Sequence, residues 1–297
     1  MQAVSLPGDV ITTGYVLVEP SSAGYHPILK SLPTHVCNTP MLKDAEELTP
    51  RLIDMAALTP EQQQTVTTAL RQEPEAAHPP TLCAWLETEA DIDRLARAIA
   101  RFLIGPGPEG EPIYWRYFDP RVFSLTMHLF SPEQRNALLG LVTQWRFAWC
   151  GHWWSIPGPG REVDALKGIR PAWPSSNQWS SLAHAHLLER VLRNLDKPPA
   201  AFTPQEILQH QRRGELALGR GRQRLNLSAP DDLIAYAIHC VRYESAFLQH
   251  PKLSDAWTAL SSGATNWSAL LARLDHVDYR QMEELHRLMS PSRGAAR

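Results

Sequence analysis

The chain has 297 residues, 43% of them hydrophobic, which is enough to build the core of one large domain or two ordinary ones. Lys and Arg total 29 against 31 Asp and Glu, a net charge of -2, so no overall basic field exists to draw in nucleic acid or an anionic membrane. The four cysteines, Cys37, Cys83, Cys150 and Cys240, form no CxxC pair and fit the reduced thiols of a cytoplasmic protein better than a disulfide framework or a zinc site. The first ten residues lack the basic and apolar regions of a signal peptide, and no apolar run approaches the ~18 residues of a membrane span.

Tyr15-Val16-Leu17-Val18, closed by Glu19-Pro20 and a Ser/Gly turn, reads as a first buried strand, parallel or central. Leu48 to Ile53 marks an element boundary, and Thr59-Pro60-Glu61-Gln62 is a capping box that opens a helix to about Leu70. Arg71 to Pro80 is loop-like, because Pro74, Pro79 and Pro80 cannot lie inside a helix. Thr88-Glu89-Ala90-Asp91 opens an amphipathic helix with Ile92, Leu95, Ala96 and Ile99 on one face and Asp93, Arg94, Arg97 and Arg101 largely on the other.

Gly105 to Gly110 is a turn-rich connection that predicts a hairpin returning into Ile113 to Phe118, an aromatic strand. That strand turns a corner at Asp119-Pro120, the N-cap and first position of a helix to Phe130. Arg121 then sits in the first helical turn, where a cation opposes the helix dipole, so a neighbouring carboxylate or a partner molecule has to compensate for it. Ser131-Pro132-Glu133-Gln134 caps a further helix expected to reach Phe147, followed by a last strand from Ala148 to Ile156.

From Ser155 to Gln178 prolines and glycines leave no room for regular structure, which divides the chain into an α/β domain (1–156), a linker (157–178) and a helical lobe (179–297). The fold expected is α+β, a mixed lobe with a small, mostly antiparallel sheet followed by an all-helical lobe. Helices are expected at Leu182–Leu195, from Pro204 to about Leu218, Asp231–Leu248, Leu253–Leu260, Trp267–Leu274 and Tyr279–Met289. Their unequal lengths carry no solenoid period.

Catalytic signatures are sparse. There is no GxSxG elbow, GxxxxGK[ST] loop or HExxH helix, and the Gly105 to Gly110 run shares only its glycine content with a phosphate loop, lacking the lysine and the following helix. His184 and His186 diverge on a helix and do not make a metal pair; Cys150 and His152 share a strand face without a third orienting group. Gly219 to Arg224 reads as a basic loop, with Arg220 and Arg222 available to an acidic partner.

Six of the ten tryptophans fall between Trp145 and Trp179, and their full exposure would create an apolar patch of around 1000 Å². Most must be buried, leaving one or two, with Trp153 and Trp154 as candidates, to anchor a partner.

The run Arg116-Tyr117-Phe118-Asp119-Pro120-Arg121-Val122, with a Gly-rich turn before it and a Pro-Glu-Gln helix start after it, resembles the R-F/Y-x-D-P-R-V signature of the type VI secretion effector chaperones. The resemblance spans roughly Tyr15 to Trp154 and includes Glu19 at the end of the first strand, Pro50-Arg51-Leu52, and Trp85 before the amphipathic helix. The chain departs from the pattern at Glu19, where Asp is usual, at Thr49, where a smaller residue is commoner, and at Leu141, which replaces a proline after Gly140.

The resemblance implies a non-enzymatic cytoplasmic adaptor, without cofactor or metal, that holds a cognate toxic effector and promotes its loading on the VgrG spike. Read from the residues themselves, Arg116, Asp119 and Pro120 hold the corner, and Arg116, Asp119, Arg121, Trp153, Trp154, Arg220 and Arg222 are the candidate partner contacts. The competing readings are a hydrolase with a non-standard site around Cys150, His152 and Asp119, and a ligand-binding protein that stacks sugars on exposed tryptophans.

Overall fold

The computed structural model describes residues 1–25, 29, 31–76, 78–162 and 173–289; the middle of the expected linker, with Gly168 and Pro171, lies outside them. The chain forms two compact units, residues 1–183 and 184–297. The first contains strands β1 (Gln2–Val4), β2 (Tyr15–Val18), β3 (His35–Val36), β4 (Arg51–Asp54), β5 (Leu82–Glu87), β6 (Ile104–Pro106), β7 (Pro112–Tyr114), β8 (Gln144–Trp149) and β9 (His152–Pro157). Seven of these make one sheet in the order β1-β9-β8-β5-β2-β4-β3, and β6 and β7 pair separately. Every pairing is antiparallel. The α+β class and the antiparallel sheet follow the expectation, and β2 is an interior strand.

The sheet is buried on both faces. Val16 and Val18 of β2, Ile53 of β4, Leu82 and Trp85 of β5, Ala148 of β8 and Trp153 of β9 join one core cluster with Val66, Ala69 and Leu70 of helix α1 (Pro60–Gln72). Alternation puts Leu17, Leu86, Trp145, Phe147 and Trp154 on the opposite face. There Phe123, from helix α3 (Pro120–Leu129), stacks on Trp145 with centroids 4.4 Å apart and meets Phe147 edge-on at 5.1 Å. Because strands buried on both faces read as continuous apolar runs, β5 shows no period-two pattern.

Helix starts follow their sequence signals. Thr59 and Ser131 form capping boxes with Gln62 and Gln134, at α1 and at α4 (Pro132–Leu139). Asp91 caps α2 (Ile92–Ala100), whose apolar stripe Leu95, Ala96, Ile99 and Ala100 is buried. Helix α4 ends at Gly140, at φ +46°, rather than continuing to Phe147. Residues 144–149 are strand instead: Trp145, Phe147 and Trp149 repeat every second residue, and this period wins over helical continuation. Cys150 and Gly151 form the β8–β9 turn, both at positive φ, so the expected single strand from Ala148 is a hairpin. Gly14, at φ +81°, turns the chain into β2 where a Cβ would lie 2.6 Å from the Leu86 carbonyl oxygen.

Helix α5 (Ser176–Leu182) begins within the span read as linker and belongs to the first unit. The second unit comprises α6 (Ala185–Arg193), α7 (Pro204–Arg224), α8 (Pro230–Tyr243), α9 (Ser245–Leu248), α10 (Ala256–Ser261), α11 (Trp267–Leu271) and α12 (His276–Met289). Gly219 to Arg224 is the last turn of α7 rather than a loop. Its glycines serve packing: Gly221 is buried, and a Cβ there would lie 3.0 Å from Leu233 and Tyr236 of α8. The expected Asp231–Leu248 helix is broken at Glu244, at φ +47°, into α8 and α9.

Candidate functional site at the β7 to α3 corner

Strand pairing in β7 stops at Tyr114, and the expected strand to Phe118 gives way to a turn that sends its aromatics inward. Trp115 is 5.3 Å from Tyr117 and 5.9 Å from Phe130, and Tyr117 donates its hydroxyl to the Ile99 carbonyl at 3.1 Å. The segment entering α5 closes this cluster: Trp173 and Trp179 lie 5.8 and 5.5 Å from Trp115, and Trp179 Nε1 donates to the Pro106 carbonyl. The corner is thus clasped from the far side of the expected linker.

Four charged side chains meet at the corner. Asp119, 4% exposed, caps α3 by accepting from the Arg121 amide at 3.0 Å. The same carboxylate takes Arg121 Nε at 2.9 Å and Nη2 at 2.6 Å, a two-point fork that compensates the cation placed in the first helical turn. Arg116 Nη2 lies 3.6 Å from Asp119 and 2.7 Å from Glu19, which is 2% exposed and leads the chain out of β2. Glu19 also accepts from the Ser21 amide and hydroxyl at 3.1 and 2.7 Å. The result is a chain, Glu19–Arg116–Asp119–Arg121, of two buried carboxylates bridged by Arg116 and ended by Arg121, with the two arginine side chains 37% and 24% exposed.

The bulge in β5 contributes the site's floor. Leu17 pairs with Ala84 but Val18 with Leu82, leaving Cys83 as the extra residue at the end of β2 nearest Glu19. Burial pushes the Cys83 thiol up, with Asp119, Glu19 and Glu73 acting in the same direction and Arg116 against it, which favours the protonated thiol. Tyr114, which donates to the Leu48 carbonyl, is also raised by burial first and then by Glu19.

This arrangement redistributes the roles read from sequence. Arg116 and Asp119 do hold the corner, but the close partner of Asp119 is Arg121, and that of Arg116 is Glu19. Glu19 entered the sequence reading only as a feature of the family pattern; a lone acid after a strand gives no signal of a partner a hundred residues away. Trp153 and Trp154 are 7% and 0% exposed and packed against the sheet, so they are not surface anchors. Eight of the ten tryptophans are buried, which removes exposed stacking platforms from consideration at those positions. Arg220 and Arg222 are exposed on α7, in the second unit.

Cys150 lies in the hairpin turn and His152 opens β9, so the two do not share a strand, and His152 meets the Trp154 ring edge-on at 6.0 Å. Asp119, occupied on both oxygens by Arg121, belongs to a different element from that turn and is committed elsewhere. His184 is the N-cap residue of α6, so the helix expected from Leu182 begins only at Ala185, with His186 inside it and His184 outside. Among the described residues no group of three or more His, Cys, Asp or Glu is placed to hold a metal ion, and no helix is long and apolar enough to cross a membrane.

No curated protein and no solved structure matches the chain. Residues 15–137, from β2 into α4 and containing the whole Glu19–Arg116–Asp119–Arg121 chain, match the family model described as a domain of unknown function, DUF4123.

Proposed function

We propose that this protein is a non-enzymatic adaptor that binds a cognate type VI secretion effector in the cytoplasm and promotes its loading on the VgrG spike. The observation that carries the reading is the use made of the signature residues. In Arg116 to Arg121 every charge is spent on an internal partner, Arg116 on Glu19 and Arg121 on Asp119. Groups committed in this way suit a rigid wall that presents a surface, whereas a general acid or base needs a carboxylate or imidazole free to exchange protons with a substrate.

The wall belongs to the segment that matches the family model and also carries the resemblance to effector chaperones. The helical second unit supplies a different kind of surface, including a cleft of about 250 Å³ lined by Phe202, His210, Arg242, Tyr243 and Glu283. In this reading the first unit is the constant platform and the second selects the effector.

The experiment is a secretion assay in the native bacterium. Deleting the gene should abolish export of the effector while leaving spike secretion and the toxicity of the effector, expressed alone, intact. Continued export of every effector in the deletion strain would remove the adaptor reading.

A further inference from the structure

The signature corner leaves unexplained a second charged feature of the first unit, a groove between α2 and α4. Arg94, Arg97 and Arg101 stand at i, i+3 and i+7 along the exposed side of α2 and its C-terminal residue, and so form one stripe. Ala98 and Phe102 from the α2 side face Ala137, Leu138 and Leu141 across an opening of about 310 Å³. A groove with an apolar floor results, its rim made of the three arginines and one acid, Glu162.

Among the described residues the rim is poorly neutralised. Arg94 reaches Glu162 at 3.5 Å, but Arg97 and Arg101 have no carboxylate partner among the described residues. Asp93, the nearest acid on the same helix, lies near His35 at 3.4 Å. Arg101 instead lies over the ring of Phe102, 5.5 Å from its centroid. Two arginines at i and i+4 repel each other, so the arrangement opposes stability in the free protein. In a chain whose net charge is -2, such a row marks a surface complementary to something acidic.

The spacing narrows the partner. Seven helical residues advance about 10 Å, too far for one carboxylate to serve both ends of the stripe. Acidic side chains at i and i+7, or at i and i+4, of a second helix match it, with that helix's apolar residues entering the space over Ala98 and Ala137. We propose that this groove docks an acidic amphipathic helical segment of a partner protein. The inference rests on the adaptor reading for the partner's identity, but the groove's chemistry stands apart from the signature corner, because none of Glu19, Arg116, Asp119 or Arg121 lines it.

The test uses the full-length chain and a fluorescein-labelled helical peptide with Leu and Glu at amphipathic spacing, alongside a version with Lys in place of every Glu. Fluorescence anisotropy should show the acidic peptide binding at least tenfold tighter than the basic one, with affinity falling as salt is raised. The Arg97→Gln/Arg101→Gln variant should lose at least tenfold, Arg97→Lys/Arg101→Lys should keep most of the affinity, and Arg224→Gln, at an exposed arginine of the second unit, should leave it unchanged. Circular dichroism melts of each variant establish that the fold is kept.

Absence of acidic-peptide binding, equal binding of the two peptides, or full affinity in the Gln variant would overturn the proposal. So would an oligonucleotide binding as tightly as the acidic peptide, or self-association of the chain that the Gln variant abolishes. If the wild-type chain co-elutes with its effector and spike and the Gln variant does so equally well, the groove fails while the adaptor reading survives. If the peptide binds as expected and no effector co-elutes, the reverse holds.

Discussion

Replacing Asp119 probes the corner at its most connected atom. In Asp119→Ala the α3 N-cap is lost, which costs about 1 kcal/mol, and the two-point fork from Arg121 is lost with it. A hydrogen-bonded charge pair contributes about 1.5–3 kcal/mol. The 3–5 kcal/mol typical of a fully buried pair does not apply, because water reaches Arg121, whose side chain is 24% exposed. The sum is about 2.5–4 kcal/mol.

Asp119→Asn keeps an N-cap acceptor and loses only the charge, so it should recover about 1 kcal/mol relative to alanine. Urea denaturation followed by tryptophan fluorescence is the assay, since of the ten tryptophans only Trp257 and Trp267 lie in the second unit. A loss under about 0.5 kcal/mol for Asp119→Ala would refute the ion-pair account of the corner. Asparagine as damaging as alanine would remove the cap from it.

Gly158→Ala should be more disruptive than its loop position suggests, by roughly 2 kcal/mol or more in the same assay, because the new Cβ would sit 2.2 Å from the Val142 carbonyl oxygen, a backbone atom that cannot swing away. Burial raises the Glu73 carboxyl, which accepts from the Thr81 amide at 2.7 Å; the stability it contributes is therefore full below the ordinary carboxylate range and is lost as pH rises through the raised value. Glu73→Gln should accordingly gain on the wild type as pH rises from about 4 to about 7, and parallel stability profiles for the two proteins would contradict this. In the second unit His184, His210 and His239 are all lowered, by burial first, so folding there releases protons. Stability of that unit is present above the ordinary histidine value of about 6.5 and should fall as pH drops through the lowered ones, a trend that melting followed at about pH 7.5 and 5.5 would reveal and that His239→Gln should blunt.

Local chemistry made much of the fold legible. Thr59, Asp119 and Ser131 each cap the helix their sequence context announced, and Asp91, the last of the four residues read as a helix start, caps α2, because an N-cap is a contact over two or three residues. The hairpin around Gly107 to Gly110 was equally readable. What escaped depended on distant partners. Residues 82–87 form a strand because neighbouring strands cover both edges and helices both faces, so the run lacks the alternation that identifies a half-buried strand. Gly219 and Gly221 look like loop residues until Leu233 and Tyr236 are seen pressing on Gly221, where close helix packing offsets poor propensity.

The site was legible to the same extent. The corner and the misplaced cation were visible in Asp119, Pro120 and Arg121, but the assignment of Arg116 to Glu19 and of Arg121 to Asp119 needed the sheet that brings β2 beside the turn after β7. The crowding of tryptophans correctly implied burial, yet composition alone could not say which of them faces inward, and Trp153 and Trp154 fall on opposite faces of a sheet covered on both.

The most direct test of the adaptor account is gel filtration of the full-length chain co-expressed with the effector encoded beside it. The account predicts a single complex peak containing both proteins at a fixed ratio, stable to rechromatography. Separate elution of the two proteins, at concentrations where each is folded and soluble, would contradict it.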